Sequence, residues 1–206
     1  MLLNMLVVLL VTALFQVSGA FFSWLAIKRI EKHHNTLLLI EIIVMIIISG
    51  EIIVFSSLRS LMSLYGVLAG VVFVFLLNRF VPHRHADEMQ RLGLLVFVAM
   101  CIHELPEGVA FGSTYLLSKD VGLLTAALIA LHNIPEGSIV AMPFLLKRKF
   151  RQAFSLTAIT QVLYIAGGLG AYFFLASVSA GTQAVSASIA AGAMLFIAFE
   201  ELRFLR

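Results

Sequence analysis

Cysteine is almost absent from this chain, and charged residues are scarce. The 206 residues include a single cysteine, Cys101, which excludes a disulfide framework and a cysteine-based metal site. Asp, Glu, Lys and Arg make up 12% of the residues, about half the charged fraction of a soluble domain. Apolar residues make up 61%. Because so much apolar surface cannot be hidden from water, the composition predicts a polytopic membrane protein.

Two further absences narrow the class of protein. No basic segment precedes the first apolar run, so we interpret this run as a retained helix rather than a cleaved signal peptide. The long apolar runs lack the alternation of a β-barrel strand, which leaves helices as the way to cross a bilayer. The chain is basic, with a pI of about 9.2. Its Lys and Arg residues form short clusters between apolar runs, as in membrane topology signals, so no nucleic-acid partner is expected.

Apolar runs divide the chain into seven candidate spans, each near the roughly 20 residues that cross a bilayer. The sequence therefore predicts an all-α fold in which residues 1–206 form a single transmembrane domain. The spans cover residues 3–27, 36–57, 61–80, 92–116, 121–146, 153–176 and 183–202. Of the 14 Lys and Arg residues, Arg59 and Lys119 lie on one side and the other 12 on the opposite side. This asymmetry predicts an external N-terminus and a cytosolic tail.

A hexapeptide pattern occurs twice, once in the fourth span and once in the fifth. Its copies read His103-Glu104-Leu105-Pro106-Glu107-Gly108 and His132-Asn133-Ile134-Pro135-Glu136-Gly137. At about 100° per helical residue, the histidine, the residue after it and the glutamate share one arc of the helix. Ionisable groups are costly inside a membrane and mark functional sites there. We therefore expect the two polar faces to meet near the bilayer midplane.

Two such faces can form two adjacent cation sites bridged by Glu107 and Glu136. His103 and His132 complete the first predicted site, and Glu104 and Asn133 complete the second. Imidazole together with carboxylate favours zinc, iron, manganese, cobalt or nickel over magnesium or calcium. Crowded carboxylates in a low dielectric should hold protons when no cation is present. Metal binding is therefore expected to release protons.

Three other interpretations of the motif remain open. The histidines and glutamates can pair with each other and hold the helices together. The chain can be a metal-sensing or purely structural bundle. It can also be a membrane-embedded zinc hydrolase, which needs an open coordination position and a general base. The sequence lacks His-Glu-x-x-His and a Gly-x-Ser-Gly nucleophile, so we expect no enzyme activity.

The motif resembles the signature of the ZIP family of divalent-metal transporters, especially its bacterial, GufA-like members. His103-x-x-x-Glu107-Gly108 and His132-Asn133-x-Pro135-Glu136-Gly137 carry the similarity, and residues 66–83 and 191–202 support it. The resemblance implies an eight-helix fold, a binuclear centre, homodimers and metal uptake toward the cytosol. Zinc is the first candidate, followed by iron, manganese and cadmium, and the ion is the substrate rather than a cofactor. The expected location is a bacterial inner or plasma membrane.

The chain departs from the family pattern in three places. Glu104 stands where the family often has Asn or Ser, and Gly167 stands where many members have a glutamate on the sixth helix. Gln161 is the one strong side-chain ligand candidate nearby, about 9 Å from Gly167 along the helix axis. We therefore expect a weaker second site, or one in which Glu104 supplies the missing charge. The sequence stops at Arg206, before an eighth helix, as in a truncated chain, a fragment or a short member.

Other polar residues are candidates for the transport path. Glu51 lies deep in the second span, where it can line the route or make an interhelical hydrogen bond. Glu200 and Glu201 end the seventh span, where they can contact an exiting ion or remain surface charges. His83 and His85 lie in the third connection and can hold a metal transiently or belong to a solvated loop.

Overall fold

The computed structural model describes residues 1–27, 33–78 and 89–202, which form seven helices and no strand. The predicted all-α fold class is thus confirmed for the described part of the chain. The helices are α1 (Leu2–Leu25), α2 (His34–Ser57), α3 (Ser63–Asn78), α4 (Met89–Leu117), α5 (Lys119–Leu146), α6 (Phe150–Leu175) and α7 (Ala180–Glu201). Each helix coincides with one predicted span to within a few residues.

Five stretches of these helices are long and apolar enough to cross a membrane. They are Leu2–Leu25, Leu39–Ser57, Lys119–Leu146, Phe150–Leu175 and Ala180–Glu200. The apolar part of α3, Ser63–Leu76, is shorter. Large apolar side chains such as Leu14, Val72 and Phe174 are exposed on the outside of the bundle. Such an apolar exterior on helices of this length is typical of a membrane protein.

The helices pack in two groups that meet along α4 and α5. In the first group, α4 packs chiefly against α6, and α1 packs chiefly against α5. In the second, α7 packs against α2 and α3. The groups meet where α7 contacts α4 and where α2 contacts α5. The two helices that carry the repeated motif therefore lie at the centre of the bundle.

Glycines after the two motif glutamates allow close packing around this centre. A Cβ atom at Gly108 in α4 would collide with the backbone oxygen of Tyr164 in α6. A Cβ atom at Gly137 in α5 would collide with the backbone oxygen of Gln16 in α1. Small residues at such crossings let helix backbones approach closely in a membrane. The motif glycines therefore fix α1 and α6 against the two helices that carry the candidate ligands.

Apolar clusters lie on both sides of the motif. On the side where α4 ends and α5 begins, Phe111, Ile129 and Met194 belong to one buried cluster. Toward the other end of α5, Phe144 and Leu145 belong to a second cluster. Along α5, the motif residues 132–136 therefore lie between the two clusters.

Candidate metal centre

The repeated motif lies within continuous helix in both α4 and α5. Pro106 and Pro135 are each inside their helix, one residue before the motif glutamate. A proline removes the amide that would bond the carbonyl four residues earlier. Only Ser118 separates α4 from α5, so the two helices form an antiparallel hairpin. The hairpin brings the two motifs to the same depth.

Four motif side chains converge between α4 and α5. His103, Glu107, His132 and Glu136 each contribute one ligand atom to a group whose members all lie within 4.8 Å of one another. All four residues are at most 1% exposed. A cluster of four buried imidazole and carboxylate groups is a set of ligands that can hold a divalent transition metal.

The ligand atoms of this group alternate between nitrogen and oxygen. Glu107 Oε1 lies 3.0 Å from His103 Nε2 and 2.7 Å from His132 Nε2. Glu136 Oε1 lies 2.8 Å from His103 Nε2 and 3.6 Å from His132 Nε2. Each glutamate thus contacts both histidines. The two carboxylates bridge the helices rather than each pairing only within its own helix.

The spacing of these atoms can be compared with that of a tetrahedral zinc site. With metal–ligand bonds of about 2.0–2.2 Å, neighbouring ligand atoms lie roughly 3.3–3.6 Å apart. The shortest contact, 2.7 Å between His132 Nε2 and Glu107 Oε1, would have to open by roughly 0.6 Å. Ligand atoms at the wide end of the group, up to 4.8 Å apart, would have to approach each other by roughly 1 Å. Receiving an ion therefore needs small side-chain shifts in both directions.

The position of the His132 ring indicates which nitrogen would bind the ion. Nδ1 lies 3.3 Å from the carbonyl oxygen of Leu128, which can only accept, so Nδ1 carries a proton. A hydrogen bond of this kind orients many metal-binding histidines. Nε2 then faces Glu107 Oε1 at 2.7 Å, within hydrogen-bond distance. Nε2 is therefore the ring nitrogen that faces the candidate metal position.

Glu104 and Asn133 lie outside the four-atom group, each in a hydrogen bond of its own. Gln161 Nε2 of α6 donates to Glu104 Oε1 at 2.6 Å. Asn133 Nδ2 donates to the backbone oxygen of Thr12 in α1 at 3.2 Å. Both residues are fully buried. The structure thus connects Gln161 to the site through Glu104.

Several buried oxygens around the site have no hydrogen-bond partner among the residues that the structure describes. They are Glu104 Oε2, Glu107 Oε2, Glu136 Oε2, Asn133 Oδ1 and Gln161 Oε1. Buried acceptors of this kind are normally satisfied by a donor, water or an ion. The second predicted cation site needs oxygens from these residues, and it stays a prediction.

Glu51 and Glu200 are not members of this group. Glu51 Oε2 accepts from Thr125 Oγ1 of α5 at 3.5 Å, and this glutamate is half-buried. Glu200 is partly buried in the last turn of α7. His83 and His85 lie outside the described residues, and so does the side chain of Glu201.

The sequence reasoning missed the contribution of α1. Thr12 and Gln16 are buried in this helix, and the Gln16 amide has no hydrogen-bond partner within the described part of the chain. Thr12 accepts from Asn133, and the backbone of Gln16 contacts Gly137. Two polar residues four apart in an otherwise apolar run were a usable signal, because that spacing places them on one helix face.

Two comparisons of the sequence with known proteins find no relative. A scan against protein-family models gives no match, and no curated protein matches the sequence. The resemblance to the ZIP family therefore remains a prediction from the motif residues.

Proposed function

We propose that this chain is a ZIP-like transporter that moves divalent transition-metal ions across a membrane toward the cytosol. Zinc is the first candidate substrate, with iron, manganese and cadmium next. The ion is held during passage by His103, Glu107, His132 and Glu136. The proposal rests on the convergence of these four buried ligands between two neighbouring helices of an apolar bundle.

The chemistry of the ligands favours passage over permanent storage. The group contains no thiolate, the ligand typical of tight structural zinc sites. Its carboxylates can take protons when the ion leaves, so the site need not carry uncompensated charge when empty. A polar site at the midplane of apolar helices is also where transporters bind their substrates.

A second ion is proposed beside the first. Glu104, Asn133 and the outer oxygens of Glu107 and Glu136 supply its ligands, and Gln161 orients Glu104 through the 2.6 Å hydrogen bond. The unpartnered oxygens of these residues support this assignment. Glu104 here contributes the charge that many members of the ZIP family place on the sixth helix.

Radiotracer uptake into sealed proteoliposomes tests the transport proposal. Zinc, iron, manganese, cadmium and nickel are compared at several pH values. We expect uptake by the unaltered chain and loss of uptake in Glu107→Gln and in Glu136→Gln. Asp120→Asn is the matched control, because it also removes one carboxylate charge but lies exposed at the start of α5.

The outcome of this assay separates the alternative functions. If the protein binds metal but does not transport it, the result would support a metal-sensing or structural bundle instead of a transporter. Substrate hydrolysis without flux would favour the zinc hydrolase. Normal uptake by either glutamine variant would refute the bridging role of the two glutamates.

A further inference from the structure

An aromatic cavity lies where α1 ends and α6 begins, away from the metal centre. Its volume is about 520 Å³, and it is lined by Phe21, Trp24, Phe150 and Phe154. The Trp24 ring is 6.3 Å from the Phe150 ring and 5.7 Å from the Phe21 ring. Trp24 and Phe150 are 44% and 43% exposed, so the cavity opens to the outside of the bundle. An open apolar cavity on a membrane protein is accessible to lipid.

The floor of this cavity is part of the helix packing. Phe154 packs against a buried cluster that contains Ala20, Phe144 and Ala153. The cluster joins α1, α5 and α6 at this end of the bundle. The cavity is therefore a feature of three packed helices rather than of one exposed side chain.

A basic turn adjoins the same cavity. Lys147, Arg148 and Lys149 connect α5 to α6, Arg151 follows Phe150, and all four are exposed. Backbone N–H groups of Lys147 and Lys149 donate to the Phe144 carbonyl, which fixes the turn. Neither α1 nor α6 contains Asp or Glu. The two helices that form the cavity walls therefore add no negative charge beside this turn.

We propose that this cavity and turn bind an anionic phospholipid. One acyl chain lies among the four aromatic rings, and the phosphate lies against the basic turn. Aromatic and basic residues occur together at membrane–water interfaces, and basic pockets between transmembrane helices bind anionic head groups. A zwitterionic lipid offers the same acyl chain without the net negative charge that complements the turn. This proposal is independent of metal transport.

The single tryptophan of the chain makes the proposal directly testable. Because Trp24 is the only tryptophan and lines the cavity, its fluorescence reports an acyl chain bound there. The full chain is reconstituted in phosphatidylcholine vesicles with increasing fractions of phosphatidylglycerol brominated in its acyl chains. Brominated phosphatidylcholine is used at the same fractions in a parallel series. We expect the anionic quencher to act at a clearly lower mole fraction than the zwitterionic one.

Charge removal at the turn tests the role of the basic residues. The double variant Lys147→Gln, Arg151→Gln should weaken the preference for the anionic lipid by about fivefold for each residue. Its quenching by brominated phosphatidylcholine should stay unchanged, which shows that Trp24 still faces lipid in a folded protein. The matched control is Arg59→Gln with Lys119→Gln, which removes two cations on the opposite predicted side and should retain the preference. Equal quenching by the two lipids in the unaltered chain, quenching by neither, or an unchanged preference in the double variant would overturn the proposal.

Discussion

Replacing Glu107 by glutamine removes one charge from the centre of the candidate metal site while preserving the size of the side chain. Glu107 Oε1 contacts the Nε2 atoms of both His103 and His132, at 3.0 and 2.7 Å. It is therefore the carboxylate oxygen most closely shared between the two helices. Loss of an outer partner of a metal ligand already costs about 10–100-fold in affinity. Loss of this ligand should cost at least 100-fold, or about 2.7 kcal/mol.

The zinc affinity of Glu107→Gln is best compared with that of Glu104→Gln. The latter substitution removes the same charge from the same helix, but Glu104 lies outside the group of four ligand atoms and accepts from Gln161. We expect affinity for the first ion to fall by roughly tenfold, the low end of the range for an outer partner. Both variants are purified in detergent, and zinc affinity is measured by competition with a chromophoric chelator. The reasoning is refuted if Glu107→Gln binds zinc normally, or if Glu104→Gln loses as much affinity as Glu107→Gln.

Three further predictions concern selectivity, helix packing and protons. Glu104→Asn should change metal preference or the pH profile of uptake without ending transport; unchanged metal competition and pH profiles would refute a ligand role. Gly137→Ala should lower stability by about 1–3 kcal/mol, because its Cβ would meet the backbone oxygen of Gln16. Gly170→Ala is the control, because no atom lies within 4 Å of its new Cβ, and it should leave the unfolding temperature unchanged or raise it. Equal unfolding temperatures of the two variants would contradict the close contact between Gly137 and Gln16. Zinc binding should release at least one proton per ion and tighten as pH rises, because histidine nitrogens and carboxylate oxygens bind a metal in their deprotonated forms. Parallel titrations in buffers of different ionisation enthalpy measure this release, and binding without release would count against it.

The helical fold was predictable because a bilayer permits few alternatives. Backbone groups in lipid must be satisfied within the segment, so long apolar runs predict helices without knowledge of their packing. The seven helices of the described residues follow these runs closely. The short α3 also lies within its run, although its apolar part, Ser63–Leu76, is shorter than the five stretches that are long and apolar enough to cross a membrane.

The sequence also predicts that the side chains of the four candidate ligands converge. Each histidine is four residues before a glutamate, which places the two side chains on one helix face. Because α4 and α5 are adjacent and antiparallel, the two faces can meet with no information about the other helices. The structure places His103, Glu107, His132 and Glu136 together in this way.

The partners of Glu104 and Asn133 could not be predicted from the motif. Gln161 is 57 residues from Glu104, and Thr12 is 121 residues from Asn133. Nothing in the local pattern specifies that α6 packs on α4 or that α1 packs on α5. That choice depends on the close backbone contacts at Gly108 and Gly137, which become visible only when the helices are assembled.

The central claim is that two imidazoles and two carboxylates, supplied equally by α4 and α5, bind one transition-metal ion. X-ray absorption spectroscopy of the purified chain loaded with one equivalent of zinc measures this ligand set directly. The account predicts four nitrogen or oxygen neighbours at about 2.0–2.2 Å, with the outer-shell scattering of two histidine rings. It also predicts loss of one ring in His103→Ala and of one ring in His132→Ala. A shell of oxygen alone, or spectra unchanged by both substitutions, would contradict it.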